Sequence, residues 1–329
     1  HETSYKQNRS PRYHVRETAV KLAAIHEAVL VAGSATPSLE TKLKVKDGEV
    51  KYLSLPKRVL NRKMPAVEIV DMRAEHERDN YTIFSDKLRE SMQVCVNKRQ
   101  KMIIFLNRRG YSSFLLCKDC GYVAKCKNCS ISLTYHYEGR RLQCHHCGYS
   151  RPAAPYCPKC GSLKLKYSGT GTEKVESELK KLFPNIPLIR MDADTTTTKG
   201  AHRRHLTAFA AQSPAILLGT QMVAKGLDFP EVSLIGVINA DLSLNLPDFR
   251  AAERTFQLLM QVSGRSGRGE YPGRVIIQTY LPNHYVIQAV AAGDADKFYT
   301  QELAFRAGTD YPPFSKMINI VIPVPMKRK

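Results

Sequence analysis

The chain lacks the G-x-x-x-x-G-K-[S/T] loop that cradles nucleotide phosphates; no stretch of its 329 residues matches that pattern. No apolar run approaches the length of a membrane span. No apolar leader follows the polar opening HETSYKQNRS, so no signal peptide is expected. Low-complexity tracts and long repeats are missing too. Acidic residues are scarce, with 30 Asp and Glu against 50 Lys and Arg, a formal net charge of +20. A folded chain that basic, with its charge spread along its length, is expected to meet a polyanion. Its first residue is His1, not Met, so it reads as a piece of something longer.

Cysteine is abundant in one place. CKDC, CKNC, CHHC and CPKC put C-x-x-C pairs at Cys117/Cys120, Cys126/Cys129, Cys144/Cys147 and Cys157/Cys160. Two thiolates separated by two residues can grip one metal from a tight turn, and four close a tetrahedral Zn²⁺ site. Eight cysteines therefore predict two structural four-cysteine sites, with the pairs combined in adjacent, interleaved or nested fashion. Four disulfides or an iron–sulfur cluster are the competing readings. Metal-type spacing agrees with a reducing cytoplasm. The ninth cysteine, Cys95, lies in SMQVCV and is expected to be a buried thiol.

Between Cys117 and Lys166 stand nine Lys/Arg and two acids. Tyr122, Tyr135, His136, Tyr137, Tyr149 and Tyr156 alternate with the bases. Bases beside stacking rings suit a nucleic-acid strand. The plainer reading is that these rings cover the metal sites.

Elsewhere, short apolar strands alternate with helices, the pattern of an α/β fold with a parallel sheet. Strands are expected at 28–32, 67–70, 102–106, 188–192, 215–220, 232–240 and 274–280. Helices are expected at 15–27, 85–96 and 248–260. Val175, Leu179, Leu182 and Phe183 are expected on one apolar helix face. Residues 42–63 read as a basic connector with a domain boundary near 60, and the cysteine module as an insertion in an α/β domain. In GSATPS (33–38), Ser34 or Thr36 is the expected N-cap of a following helix. GTGTE (169–173) could hold a phosphate at a helix N-terminus, although Glu173 stands where a cation is wanted. In QVSGRSGRG (261–269), small residues let two guanidinium groups approach a phosphate closely.

With GSATPS, GTQMVAKGLDFP (219–230) and QVSGRSGRG in that order, the chain resembles superfamily 2 helicases at motifs III, V and VI. The cysteine cassette placed before motif V narrows the resemblance to the replication-restart DNA helicases. RYH (12–14), FLNRRGYS (105–112), GTGTEKVE (169–176), MDADTT (191–196), DFRAAERTFQLLMQV (248–262) and YPPF (311–314) agree with it. The implied fold is RecA-like helicase lobe 2 with an inserted two-zinc module, plus the end of lobe 1. The implied layout is lobe 1 end at 1–59, lobe 2 at 60–116 and 167–290, zinc insert at 117–166, and the start of a C-terminal domain at 291–329. The family's acidic D-E-x-H box is represented only by its last residue, His1, so the Mg²⁺-binding acids are missing along with the phosphate loop.

The resemblance also implies roles. Arg268 is the arginine finger on the γ-phosphate of ATP, with Arg265 and Gln261 beside it. Gly226, Asp228 and His1 lie on the nucleotide side. Thr220 faces a DNA phosphate, and Ser34 and Thr36 couple nucleotide state to DNA. Tyr5, Arg12, Tyr13 and His14 belong to a loop sensing single strands. Nested pairing is implied for the metals: Cys117, Cys120, Cys157 and Cys160 in one site, and Cys126, Cys129, Cys144 and Cys147 in the other. The implied activity is ATP hydrolysis, with Mg²⁺, driving 3′→5′ unwinding at stalled forks and primosome loading. Implied partners are single-stranded and forked DNA, primosome proteins and single-stranded-DNA-binding protein, without a membrane, in the bacterial nucleoid. The alternative for the isolated chain is a zinc-stabilised DNA-binding scaffold without ATPase activity.

Overall fold

The structure is a computed structural model. It describes residues 5–7, 10–55, 64–106, 114–137, 139–167, 171–192, 195–196, 198, 200–221, 223, 229, 231–267, 269 and 271–318. They form two compact units, His1–Leu53 and Ser54–Lys329.

The first unit holds a two-stranded antiparallel ribbon, β1 (Lys6–Gln7) with β2 (Tyr13–His14), and two helices, α1 (Val15–Ile25) and α2 (Leu39–Lys46). The strand expected at 28–32 does not form. Val29 and Val31 are 90% and 82% exposed. A strand needs a neighbour for its backbone groups, and among the described residues of this unit only β1 and β2 pair. The expected connector from 42 overlaps α2, whose N-cap is Ser38; its hydroxyl accepts from the Thr41 amide at 3.3 Å. Neither Ser34 nor Thr36 caps the helix.

The second unit is built on a six-stranded parallel sheet. Its strands are β3 (Ala66–Asp71), β4 (Lys101–Leu106), β10 (Leu188–Met191), β11 (Ala215–Gly219), β12 (Val232–Ile238) and β13 (Arg274–Thr279). The order across the sheet is β10-β11-β4-β12-β13-β3. KMIIFL and VSLIGVI are buried at every position, as continuous apolar strands are when both sheet faces are covered. The helices are α3 (Met72–Glu77), α4 (Asp86–Asn97), α5 (Thr172–Leu182), α6 (Ala201–Ala210), α7 (Asp241–Leu244), α8 (Ala251–Ser263), α9 (Tyr285–Ala292) and α10 (Ala295–Gly308).

Helix α4 shows how local signals and packing agree. The Ser85 hydroxyl caps it, accepting from the Leu88 amide at 3.2 Å. Leu88, Met92 and Cys95 recur on its buried face, so Cys95 is the buried thiol expected. The Gln278 amide oxygen on β13 accepts from the Ser85 amide at 2.9 Å and ties the helix to the sheet. On β12, Gly236 leaves room for Leu88, whose Cδ1 would lie 2.9 Å from an added Cβ. Val175 and Leu179 on α5 and Phe183 at its C-cap are buried as expected, but Leu182, the last residue of the helix, is 41% exposed. Among the described residues no helix is long and apolar enough to cross a membrane.

Candidate metal centres and nucleotide-facing loops

The cysteine module lies between β4 and α5 and is clamped at its base by β5 (Leu115–Cys117) pairing antiparallel with β9 (Leu165–Tyr167). It also contains a three-stranded sheet, β6 (Thr134–His136), β7 (Arg141–Gln143) and β8 (Ser150–Pro152). One local design recurs at all four pairs. The residue after the second cysteine takes a positive φ: Gly121 +71°, Ser130 +56°, Gly148 +74° and Gly161 +73°. Its amide donates back to the carbonyl of the first cysteine at 2.8–3.0 Å. The first cysteine's own amide donates to the carbonyl five residues on (Tyr122, Ile131, Tyr149, Ser162) at 2.8–2.9 Å. This knuckle turns both thiols of a pair to one side.

The knuckles combine in nested fashion. Cys117, Cys120, Cys157 and Cys160 form one group, and Cys126, Cys129, Cys144 and Cys147 the other; within each group all four sulphurs lie within 4.8 Å of one another. Sulphur separations are 3.7 Å for Cys117–Cys160, 3.6 Å for Cys120–Cys157 and 3.6 Å for Cys126–Cys147. A tetrahedron with Zn–S bonds of about 2.3 Å has edges of about 3.8 Å, whereas a disulfide needs about 2.0 Å. The four-disulfide reading is therefore wrong, and every cysteine is free. The donor sets fit two Zn²⁺ ions and leave no open coordination position, which makes the sites structural. Without a cation the thiols are mismatched. In the second group burial raises Cys129 and Cys144, while the Tyr149 amide pulls Cys147 down to about 6. Only a bound cation lets all four thiols of a site stay thiolate together.

The module is fastened to the rest of the second unit at both sites. Beside the first, Gly121 packs on the loop after β13: an added Cβ would lie 2.4 Å from the Tyr280 carbonyl oxygen. His284 stands in the same loop, where burial, with Lys125 adding to it, pulls its imidazole down to about 4. Asp241 stiffens this end of the sheet by accepting from the Thr279 hydroxyl at 2.8 Å and the Tyr280 amide at 2.9 Å. Burial raises Asp241 to about 6 against those bonds. Beside the second site, Tyr311 enters the module's apolar core with Ile131, Leu133, Tyr135 and Leu142. The module's aromatics thus split between the two expected roles. Tyr135 is buried and Tyr122 and Tyr149 pack against the same core, whereas Tyr137 and Tyr156 are 64% and 54% exposed.

Among the other sequence-selected residues, Tyr13 and His14 form β2, and Tyr5 and Arg12 directly precede β1 and β2. Tyr5 and Tyr13 are about half exposed, and His14 Nδ1 accepts from the Arg16 amide at 3.3 Å to cap α1. In GSATPS the Ser34 hydroxyl accepts from the Thr36 amide at 3.1 Å. In the second unit, Thr220 follows the carboxyl end of β11, and its amide donates to the Met191 carbonyl at 3.3 Å. Gln261 lies on the last turn of α8 and Arg265 just beyond it. The turn that follows is tied to the amino end of β12: Ser266 Oγ donates to the Ser233 carbonyl at 3.0 Å and the Gly267 amide to that of Val232 at 3.3 Å. Because the strands run parallel, Thr220 and the Arg265 turn occupy opposite rims of the sheet. His1, Gly226, Asp228 and Arg268 lie outside the described residues. Sequence reasoning missed Asp241, His284, Arg306 and Tyr311. YPPF and DFRAAER were the signals nearest to the Tyr311 contact, since they supply both of its rings.

A model of the PriA DNA helicase Cys-rich region domain matches residues 126–152, and a model of the helicase conserved C-terminal domain matches residues 167–270. The chain is 52% identical to Replication restart protein PriA of Bacillus subtilis (strain 168) over 314 residues, 95% of this chain and 39% of the relative. It is 47% identical to Replication restart protein PriA of Synechocystis sp. over 327 residues, 97% of this chain and 39% of the relative. Among solved structures, S. cerevisiae Dbp5 bound to RNA and ADP BeF3 aligns at 14% identity with a TM-score of 0.43, covering 89% of this chain and 59% of that one. The chain spans about two-fifths of the length of the two curated relatives.

Proposed function

We propose, for a chain of the PriA replication-restart family, that it forms the motor half of an ATP-dependent DNA helicase that unwinds 3′→5′ at stalled forks and loads the primosome. The observation that carries this reading is the placement of two four-cysteine sites inside a parallel-sheet helicase domain, in the chain between β4 and the elements that Thr220 and Arg265 follow, β11 and α8. In this reading 1–59 close lobe 1, 60–116 and 167–290 form lobe 2, 117–166 are the zinc insert, and 291–329 open a C-terminal domain.

In this reading the labour is divided as the motifs assign it. ATP with Mg²⁺ sits against the rim where the Arg265 turn is anchored to β12. Gln261, Arg265 and Arg268 present donors to the phosphates, and Gly226 and Asp228 bring the motif V loop to them. Guanidinium groups held on a turn of small residues meet phosphate oxygens with paired hydrogen bonds and stabilise charge on the transferring group. Thr220, on the opposite rim, faces a DNA phosphate, while Ser34 and Thr36 relay nucleotide state. Tyr5, Arg12, Tyr13 and His14 read single strands. The zinc module holds its shape by metal cross-linking and offers exposed Tyr137 and Tyr156 among lysines and arginines to a strand, and its remaining surface to primosome proteins and single-stranded-DNA-binding protein. The setting is the bacterial cytoplasm, on nucleoid DNA.

The binding half of this reading is tested with this chain and a fluorescent single strand. If about five phosphates are neutralised, affinity falls as roughly the 3.5 power of salt concentration. A flat salt titration contradicts DNA as the polyanion.

A further inference from the structure

We propose that Tyr311 is a positioning residue that locks the Cys126/Cys129/Cys144/Cys147 site to helix α8, so that this site and that helix keep or lose their order together. The inference rests on reading the cysteine groups as zinc sites.

Tyr311 is 5% exposed and belongs to the apolar core of the cysteine module, although it lies beyond α10, far from the module in sequence. Its hydroxyl donates to the main-chain carbonyl of Cys129 at 2.8 Å, so it holds the backbone of a metal ligand. Its ring stacks on Phe249, with centroids 4.8 Å apart and planes 6° from parallel. Phe249 stands two residues before α8, the helix that carries Gln261 and runs into Arg265.

Arg306 closes the other side. Its guanidinium lies 5.1 Å from the Phe249 ring centre, and Nη2 donates to Glu253 on α8 at 2.8 Å. Nη1 donates to the Pro312 carbonyl at 3.0 Å, and the Tyr311 amide donates to the Arg306 carbonyl at 2.9 Å. Tyr311 therefore joins a zinc knuckle and the start of α8 through its side chain and the end of α10 through its amide. The other zinc site is seated differently: at Gly121, next to Cys120, the knuckle's main chain lies against the Tyr280 carbonyl and the Leu281 side chain, not against Tyr311. A change at Tyr311 should thus act on one metal site and leave the other alone.

Phe at 311 keeps the stack and removes only the hydroxyl. The Cys129 carbonyl then loses its hydroxyl donor in a partly buried place, a loss worth about fivefold to tenfold in an equilibrium. The experiment follows zinc release from the whole chain to a colorimetric chelator, with thiol alkylation mapping which cysteines are freed, and hydrogen exchange at residues 251–263. In the Tyr311→Phe chain, zinc held by Cys126, Cys129, Cys144 and Cys147 should leave about five to ten times faster than in wild type. Release from the other four cysteines should keep its wild-type rate, and α8 amides should exchange faster. Equal acceleration at both sites means general loosening and overturns the proposal, as does no acceleration at either. Selective release with unchanged α8 exchange also overturns it, because the helix would then not follow the site. Fewer than two zinc ions in the wild-type chain would instead overturn the zinc reading itself.

Discussion

Replacing Arg306 with Met tests how the second unit is held together at its C-terminal side. The guanidinium is fully buried and so is Glu302, with Glu253 nearly so. Nε donates to Glu302 at 2.9 Å, Nη2 to Glu253 at 2.8 Å and Nη1 to the Pro312 carbonyl at 3.0 Å. Tyr285 also donates to Glu302. Methionine fills much of the volume but removes the guanidinium that the two carboxylates share. Breaking a buried ion pair by removing one partner typically destabilises by about 3–5 kcal/mol. Here two pairs share one cation, so the upper half of that range is expected. Neutralising both partners as well, in Arg306→Met with Glu253→Gln and Glu302→Gln, removes the two buried negative charges and should recover at least about half of the loss. The assay is urea unfolding of the zinc-loaded chain, followed by far-ultraviolet circular dichroism. A single variant within about 1 kcal/mol of wild type, the range of exposed pairs, would refute the reasoning. So would a triple variant less stable than the single one.

Two further outcomes follow. With His284 pulled down to about 4, the unfolded chain takes up a proton near pH 6.5 before the folded chain does, so stability from this residue is lost as pH falls through that window. Between pH 7.5 and 5 the loss is up to about 2 kcal/mol. Asp241, raised to about 6, acts in the opposite sense and loses stability as pH rises from about 4 to 6. The signal is therefore read as the difference between wild type and His284→Gln in urea unfolding at each pH, and a pH-independent difference contradicts it. Elemental analysis of freshly reduced protein should give two zinc ions per chain. Chelation should unfold 117–166 and spare the sheet; one zinc or none contradicts the paired-site reading.

Strands β4 and β12 could be read directly, because a strand covered on both faces is apolar throughout. The metal ligands could be read too, since a C-x-x-C knuckle needs only local turns. Spacing alone left the pairing open, and nesting came from the resemblance; in space it follows from β5 meeting β9, which brings Cys117 beside Cys160. The run at 28–32 misled because apolar composition encodes a strand only where a neighbouring strand supplies hydrogen bonds. Leu182 misled because it is the last residue of α5, where the helix ends. Arg306 was invisible because its burial depends on Glu253, 53 residues away, and a lone arginine on a helix looks solvated. Tyr311 reaches Cys129 across 182 residues, a contact that no local pattern announces.

DNA-stimulated ATP hydrolysis by the full-length protein carrying Arg268→Ala tests the motor assignment most directly. Arg268 is the last arginine of QVSGRSGR and the proposed finger; Arg265, three residues earlier, is its competitor. Arginine fingers are worth about 10³–10⁵ in turnover, so at least about a hundredfold loss of kcat is expected even with partial substitution by Arg265 or water. Arg268→Lys should recover only part of it, since an ammonium cannot make the paired contact. Zinc content and nucleotide-free DNA affinity should stay near wild type. Near-normal DNA-stimulated hydrolysis in a well-folded Arg268→Ala protein would contradict the assignment.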